Sequence, residues 1–157
     1  MAESTYLLIP VSSEEHWAAY HSLRRKLLFE AFGHYDSNHP DDRKADNYPA
    51  LLICDGLPVG AIRVDLVTEQ GFAIMRTVAV ASDKQRRGYG RIMLLLAEAY
   101  ASKNGFTATV VFAAPAAIGF YTKCGYEPYT WDPEGCFGSG PQMRKVLSMR
   151  SSGTPFV

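Results

Sequence analysis

Three short apolar runs between residues 50 and 80 constrain the fold of this chain most strongly. The runs are Ala50–Cys54, Gly60–Val67 and Phe72–Val80. Asp55-Gly56 separates the first two, and Thr68–Gly71 separates the last two. Aspartate–glycine pairs and short glycine-containing loops between β-rich runs are typical of hairpins. The runs therefore predict an antiparallel meander of three strands.

The segments around the meander carry helical and strand patterns in alternation. Apolar spacing predicts a helix from Ser12 to about Phe29. Residues 33–49 are polar and rich in turn formers, so we expect a loop or a short helical piece there. Further helices are predicted at Tyr89–Asn104 and Pro115–Lys123, and further strands at Thr107–Ala113, Tyr126–Trp131 and Gln142–Leu147. This order predicts an α/β (α+β) fold with one mixed, mostly antiparallel sheet flanked by helices.

Length and charge limit the classes of partner. The chain has 157 residues, the length of one ordinary domain. We expect one domain over residues 1–150 and a flexible tail over residues 151–157. Sixteen lysines and arginines balance sixteen aspartates and glutamates. Because a neutral chain has no overall field that attracts nucleic acid or an anionic membrane, we expect neither partner, and any anion site has to be local.

Cysteine usage and hydropathy predict a soluble, cytoplasmic protein. The three cysteines form no Cys-x-x-Cys pair, so a disulfide framework is not expected. The longest nearly apolar stretch, Val110–Phe120, is too short to cross a membrane. His34 and His39 stand among aspartates but lack helical ligand spacing. We therefore expect a solvated loop and no metal site there.

A glycine-containing loop between a strand and a helix predicts a phosphate site. The loop reads Gln85-Arg86-Arg87-Gly88-Tyr89-Gly90, and the helix begins in it. Free backbone N–H groups and the positive end of the helix dipole favour an anion at such a helix start. Arginine side chains can add charge-assisted hydrogen bonds. A dinucleotide-binding fingerprint is disfavoured because Met93 replaces its third glycine, and the loop lacks the G-K-[ST] of a Walker motif.

This loop and a later segment resemble the GCN5-related N-acetyltransferases, the GNAT family. The loop matches the family's Q/R-x-x-G-x-G/A motif, and Ala114–Tyr126 resembles its N-x-x-A-x-x-F-Y-x-K-x-G-F/Y segment. The matching residues of the second segment are Ala117, Phe120, Tyr121, Lys123, Gly125 and Tyr126. Ala114 stands where the family commonly has asparagine, so it receives no side-chain role. The resemblance spans about residues 78–126 and implies the acyl-CoA N-acyltransferase fold.

The resemblance implies acetyl-CoA as cosubstrate and assigns residues to it. Backbone N–H groups of Arg86 to Gly90 would hold the pyrophosphate, and main-chain groups near Val78 and Val80 would contact the pantetheine arm and stabilise the oxyanion. The implied cofactor-binding residues are Val78, Val80, Gln85, Arg86, Arg87, Gly88, Tyr89 and Gly90. Tyr121 would be the general acid, because a tyrosine with its ordinary pKa of about 10 is almost fully protonated at neutral pH.

The general base is less well defined. Some branches of the family carry a glutamate on the fourth strand, and the corresponding residue here is Ile74. A four-residue loop at Thr68–Gly71 would place Asp65 opposite Ile74 on the same face. Arg63 and Arg76 would flank Asp65 and either keep it ionised or hold an anionic substrate group. Asp65 is thus a candidate base or amine anchor, and a strand salt bridge explains it equally well.

Glu30 and Cys124 are two further residues near the predicted site. Glu30, at the end of the first helix, is a second candidate for a catalytic carboxylate, because the first helix borders the acceptor site in this fold. Cys124 has no histidine near it in sequence, and the expected chemistry is direct transfer. We therefore interpret Cys124 as a packing residue.

Together these observations predict an N-acetyltransferase that moves the acetyl group of acetyl-CoA to a primary amine by direct attack in a ternary complex. The acceptor would be a small molecule or a peptide. The alternative is a catalytically inactive acyl-CoA-binding sensor or partner-binding domain, motivated by Ile74 and Ala114, and a nucleotide-binding oxidoreductase is a more distant one. A homodimer is compatible with the sequence, which does not set the oligomeric state.

Overall fold

The computed structural model describes residues 3–81 and 88–147, with the side chains of residues 28–32 left out. The helices are α1 (Glu14–Phe32), α2 (Tyr89–Lys103) and α3 (Ile118–Lys123). The strands are β1 (Tyr6–Pro10), β2 (Asn47–Cys54), β3 (Leu57–Val67), β4 (Phe72–Val80), β5 (Ala108–Phe112), β6 (Glu127–Pro128) and β7 (Gln142–Val146). Short 3-10 turns lie at Pro40–Arg43 and Pro115–Ala117. The expected tail at residues 151–157 lies outside the described residues.

One mixed sheet organises the molecule. Its seven strands are arranged in the order β1-β2-β3-β4-β5-β7-β6. The β4–β5 pair is parallel, and the other five neighbouring pairs are antiparallel. The predicted fold class, a mixed and mostly antiparallel sheet flanked by helices, is confirmed.

The predicted meander is present as β2, β3 and β4. Asp55 and Gly56 both have positive φ angles, 50° and 85°, as a two-residue hairpin turn of the right twist requires. At the other end, Val67 pairs with Phe72 and Asp65 pairs with Ile74. The register predicted from the loop length is therefore confirmed.

The helices cover the two faces of the sheet with separate cores. On one face, Tyr20 of α1 packs in a cluster with Leu51 and Ala61. On the other face, α2 and α3 contribute to the main core, which includes Met93 and Tyr121. Ser13 begins α1 as its N-cap, because its Oγ accepts a hydrogen bond of 3.1 Å from the backbone N–H of His16.

Several element boundaries differ from the predictions. Strand β1 was not predicted, β2 begins at Asn47 rather than Ala50, and α1 continues to Phe32. The strand predicted over Tyr126–Trp131 is reduced to β6. Its end is a loop because the backbone N–H groups of Trp131 and Asp132 donate to the side-chain Oε1 of Gln142, at 2.9 and 2.7 Å.

Two further features complete the description of the fold. No helix among residues 3–81 and 88–147 is long and apolar enough to cross a membrane. Cys54, Cys124 and Cys136 are free thiols.

Candidate functional site

Strands β4 and β5 part in the middle of the sheet. Their pairing runs from Phe72 and Ala108 to Ile74 and Val110, and no described residue pair continues it. Strand β4 itself extends six residues further, to Val80. Main-chain groups at this end of β4 are therefore available to an extended ligand. Val78 and Val80, the predicted main-chain partners of the cofactor, both lie beside this opening.

A β-bulge in β4 lies next to the opening. Ala61 pairs with Ala79 and Arg63 pairs with Arg76, so Thr77 and Val78 together oppose the single residue Ile62. Thr77 has a φ of 55°, an uncommon conformation for a β-branched residue. Bulges of this kind redirect the backbone and are frequent near active sites.

The start of α2 is a helix N-terminus, the element on which the predicted anion site depends. Gly88 is the N-cap with a φ of 79°, and its carbonyl accepts a hydrogen bond of 3.0 Å from Ile92 N–H. The N–H groups of the first helical turn, beginning at Tyr89 and Gly90, have no partners within the helix. The preceding residues Gln85, Arg86 and Arg87 lie outside the described residues.

The ends of β4, α2 and α3 converge at Gly90. A Cβ built on Gly90 would lie 3.3 Å from the ring of Phe120 and 3.8 Å from Val80 Cγ2. The close packing of α3 on α2 thus favours glycine at position 90. This reason adds to the ligand access inferred from the sequence. This contact brings the two predicted motifs together.

Tyr121 follows Phe120 and is largely buried in the main core. Its ring packs against the rings of Phe120 and Tyr126, with centroids 5.1 and 5.5 Å away. Burial, followed by the nearby Cys124 thiol, raises the pKa of Tyr121 to about 12. The phenol therefore keeps its proton throughout the neutral range, as a general acid requires.

A cavity of about 310 Å³ lies on the sheet face that α1 covers. It touches β4 at Arg76 and at Thr77, within the bulge. Its lining is polar and charged and consists of Arg24, His34, Tyr35, Asp36, His39, Asp41, Arg63, Arg76, Thr77 and Phe137. The cavity therefore meets the β4–β5 opening at the bulge.

Asp65 lies beneath this cavity in a buried ion pair. Its Oδ1 accepts a hydrogen bond of 2.7 Å from Arg63 Nε, and its Oδ2 accepts bonds from Arg63 Nη2 at 2.9 Å and Arg76 Nε at 3.1 Å. Asp65 is 7% exposed and does not line the cavity. The salt bridge weighed in the sequence analysis is present, and the role of Asp65 as a base stays a prediction.

The loop after α1 is exposed at His34 and His39, as the sequence predicted, but Asp42 at its end is buried. Asp42 is 4% exposed and accepts hydrogen bonds from Arg24 Nη1 and Arg63 Nη1, each at 3.1 Å, and from the hydroxyl of Tyr20 at 3.0 Å. Two guanidinium groups and one phenol donate these hydrogen bonds and compensate the charge of the carboxylate. Asp42 therefore holds the end of the loop against the sheet. Among the described residues, no three His, Cys, Asp or Glu side chains are arranged to hold a metal ion.

Tyr35 of the cavity wall is paired with His21 of α1. The Nδ1 of His21 lies 2.6 Å from the hydroxyl of Tyr35. Burial lowers the pKa of His21 and raises the pKa of Tyr35, so both side chains are neutral near pH 7. This pair can pass a proton between the cavity and the imidazole. The other candidate carboxylate, Glu30, lies in α1, but its side chain is outside the described part.

Sequence reasoning missed two cavity residues, Thr77 and Phe137, and it did not single out Arg24 and Tyr35 within residues 23–36, a segment expected to supply specificity. Arg24 was within the predicted helix, but the helical pattern did not show that its charged face meets β3. The available signal was its spacing, because a basic residue four positions after Tyr20 lies on the same helical face as that apolar residue.

The chain matches a known protein family over most of its length. The model of the acetyltransferase (GNAT) family matches residues 13–126, which include the β4–β5 opening, the start of α2 and Tyr121. A solved structure from Lactobacillus plantarum, named as an N-acetyltransferase, is 25% identical, with a TM-score of 0.72 over 91% of this chain and 99% of that chain.

Two more distant structures share the fold. GCN5 of Tetrahymena is 14% identical, with a TM-score of 0.75 over 94% of this chain and 98% of that chain. The PaiA N-acetyltransferase of Thermoplasma acidophilum, solved in complex with coenzyme A, is 15% identical, with a TM-score of 0.68 over 91% of this chain and 99% of that chain. The fold expected from the sequence resemblance is thus confirmed, and the chain belongs to the acetyltransferase (GNAT) family.

Proposed function

We propose that this protein transfers the acetyl group of acetyl-CoA to a primary amine by direct attack in a ternary complex. The observation that carries the proposal is the opening between β4 and β5, with the N-terminus of α2 beside it. An extended thioester can lie in this opening while its phosphates meet the helix start. The coenzyme A complex of the Thermoplasma relative supports the same cofactor here.

In this proposal the main chain of Val78 and Val80 pairs with the pantetheine arm. The pyrophosphate binds to backbone N–H groups in the segment from Arg86 to Gly90, with Gly88 as the N-cap of α2. Main-chain N–H groups near Val78 stabilise the oxyanion of the tetrahedral intermediate. The amine enters from the cavity on the α1 side, because that cavity touches the bulge at Thr77.

Tyr121 acts in this scheme as the general acid. When the tetrahedral intermediate collapses, the bond from carbon to sulfur breaks, and the phenol donates its proton to the departing thiolate. Its buried position keeps the phenol protonated, because burial raises its pKa, and protonation is the state in which it can donate. Asp65 and Glu30 remain the carboxylates proposed to take the proton from the amine.

Acetyl-CoA binding tests the cofactor assignment directly. A ligand at 100 times its dissociation constant stabilises a folded protein by about 2.7 kcal/mol, so thermal unfolding with acetyl-CoA should show a clear upward shift. Release of free thiol from acetyl-CoA is then measured with a panel of amines. Absence of any thermal shift would overturn the proposal.

The same measurements separate the enzyme from the alternative, a catalytically inactive acyl-CoA sensor. Ile74 supports that alternative, since it is 1% exposed and packs with Phe72, Val110 and Trp131 where a catalytic glutamate would otherwise stand. A sensor would bind acetyl-CoA and release no thiol with any amine. Thiol release that depends on an amine would favour the enzyme.

A further inference from the structure

The floor of the cavity is a chain of alternating charges that does not neutralise itself. Arg24, Asp42, Arg63, Asp65 and Arg76 are joined in that order by salt bridges of 2.7 to 3.1 Å. Three arginines and two aspartates make up this chain, so one positive charge is left over. Asp41 at the rim is shared between Lys44 Nζ, 2.9 Å from its Oδ1, and Arg63 Nη2, 4.0 Å from its Oδ2, so Lys44 and Asp41 together add no net charge.

The central arginine of the chain is fully engaged. Arg63 uses Nε and Nη2 for Asp65 and Nη1 for Asp42. Although burial alone would lower it, these hydrogen bonds and the charge of Asp65 raise the pKa of Arg63 above its usual value. Arg63 is therefore a structural part of the floor and has few donors left for a ligand.

The two terminal arginines differ from Arg63 in this respect. Arg76 uses Nε for Asp65 and Nη2 for the carbonyl of Phe137 at 2.9 Å, which leaves Nη1 for a ligand in the cavity. Arg24 bonds Asp42 through Nη1, its Nη2 lies 3.5 Å from Thr77 Oγ1, and its side chain also hydrogen-bonds with Tyr35. Arg24 Nε is buried without a hydrogen-bond partner among the described residues. Both guanidinium groups are thus incompletely satisfied within the described part of the chain.

These two arginines line the same cavity. Arg24 contacts Thr77, and Arg76 is the residue before Thr77 on β4. Both residues line the cavity, whose volume of about 310 Å³ suits a small molecule. Guanidinium donors in a fixed fork match the two oxygens of a carboxylate.

We propose that the acceptor is a small amine that also carries a carboxylate, such as an amino acid, and that Arg24 and Arg76 bind this carboxylate. This inference rests on the proposed function, because it names the acceptor class for the same site. The carboxylate neutralises the charge left over in the floor. It also fixes the amine beside the bulge at Thr77, where β4 parts from β5.

The test compares each amino acid with its α-carboxamide as acceptor. Release of thiol from acetyl-CoA is measured for the twenty common amino acids, for their amides, and for spermidine. The amine of an amide is less basic, which favours its reaction at neutral pH, so a preference for the acid has to come from the protein. We expect kcat/KM to be at least about 100-fold higher for the best acid than for its amide, because the amide leaves the guanidinium groups unpaired.

Substitution of Arg76 tests whether the preference for the acid over the amide arises at this site. Arg76→Gln leaves Asp65 with both of its hydrogen bonds from Arg63. We expect the ratio of kcat/KM for the acid to kcat/KM for the amide to fall by about 10-fold or more in this variant, because one charge-assisted contact is removed. The matched control is Arg43→Gln, since Arg43 stacks on Trp17 outside the cavity and is exposed. The control should keep the preference of the unmodified protein.

The outcomes separate this inference from the proposed function. If acetyl-CoA stabilises the protein and spermidine or the amides react as fast as the acids, the proposed function stands and this inference is overturned. Thiol release with none of the amino acids overturns it as well. If acetyl-CoA causes no thermal shift, both proposals fail. The comparison of acids with amides uses the unmodified protein, so it decides between these outcomes even if Arg76→Gln does not fold.

Discussion

At the scale of single residues, burial decides the protonation state of Tyr121. The ring lies in the main core between Phe120 and Tyr126, and burial raises its pKa to about 12. Because this pKa lies far above neutrality, the phenol stays protonated at every pH at which the protein is expected to work. Tyr121 is therefore suited to donate a proton and unsuited to accept one from the amine.

Replacing Tyr121 with phenylalanine tests its proposed role as general acid. The ring packing is retained and the proton is lost, so we expect kcat to fall by about 100-fold with little change in thermal stability. Tyr129→Phe is the control, because Tyr129 is 45% exposed and stacks under Arg144. Steady-state thiol release with acetyl-CoA measures both variants. An unchanged kcat in Tyr121→Phe would exclude the general-acid role.

Replacing Asp65 with asparagine separates its two interpretations. The change leaves Arg63 and Arg76 without their shared buried carboxylate, so we expect the free energy of unfolding to fall by about 3 kcal/mol. Asp46→Asn, at an exposed position, should leave stability nearly unchanged. Urea denaturation measures this effect.

The pH–rate profile of Asp65→Asn addresses catalysis. A profile equal to that of the unmodified protein would end the interpretation of Asp65 as the base, and the ion pair would then be its whole role. Loss of the limb on the acidic side, in a variant that remains folded, would support it.

The residues of the site were only partly predictable from sequence. The arrangement of Asp65 between Arg63 and Arg76 was predicted because a four-residue hairpin loop fixes the register of β3 and β4. The pairing of Arg24 with Asp42 was not, because no local rule relates the face of a helix to a loop 18 residues later. Long-range contacts of this kind depend on how α1 packs on the sheet.

At the scale of elements, local signals predicted the meander and the long helices, and weaker elements were missed. Strand β1 has five residues and depends on pairing with β2, from Tyr6 with Cys54 to Pro10 with Ala50. Its sequence alone carries no turn signal that sets it apart. The bulge at Thr77 was missed for a similar reason, since no glycine marks it and the register shift arises from tertiary pairing.

The start of α2 provides a prediction about the helix N-cap. Gly88 has a φ of 79°, so Gly88→Ala should destabilise the protein by about 1 kcal/mol through backbone strain and should also reduce the thermal shift caused by acetyl-CoA. Gly119→Ala is the matched control in α3, because no atom lies within 4 Å of its added Cβ and its φ is not positive. That control should be neutral or slightly stabilising. Equal stability of the two variants would contradict the strain at Gly88.

At the scale of the whole molecule, the net charge is zero, but charged side chains are concentrated at particular places. The chain has sixteen basic and sixteen acidic side chains. On the α1 face, the charges from Arg24 to Arg76 form a buried chain beneath the cavity. On the other face, Glu98 accepts hydrogen bonds from Tyr126 at 2.8 Å and from Lys145 at 2.7 Å, and the pKa of Glu98 is raised mainly by burial. Neutrality of the chain therefore coexists with strong local fields.

Three buried tyrosines predict a loss of stability at alkaline pH. Burial is the largest cause of the raised pKa values of Tyr20, Tyr121 and Tyr126. In the unfolded chain each tyrosine loses its proton near pH 10, whereas in the folded protein it remains protonated to higher pH. The folded state therefore binds more protons, and the free energy of unfolding falls as pH rises above 10.

The expected slope is about 2 kcal/mol per pH unit at pH 10, where the unfolded tyrosines are half ionised, and it approaches about 4 kcal/mol per pH unit above pH 11. Tyr121 contributes its part up to about pH 12, its folded-state pKa. Urea unfolding at pH 9, 10 and 11 measures this slope. Tyr121→Phe should reduce it by about one third. Stability that is constant across this range would show that the tyrosines titrate alike in the folded and unfolded chains.

The parting of β4 from β5 gives the sheet a third edge, in addition to those of β1 and β6. Open strand edges invite pairing with other chains, and proteins usually protect them. Here the exposed edge lies inside the sheet, where β5 and the start of α2 stand on either side of it. A β-strand from another molecule would have to insert between β4 and β5. A narrow, flexible ligand can enter there. The molecule can thus keep main-chain donors and acceptors uncovered at its centre without offering them to aggregation.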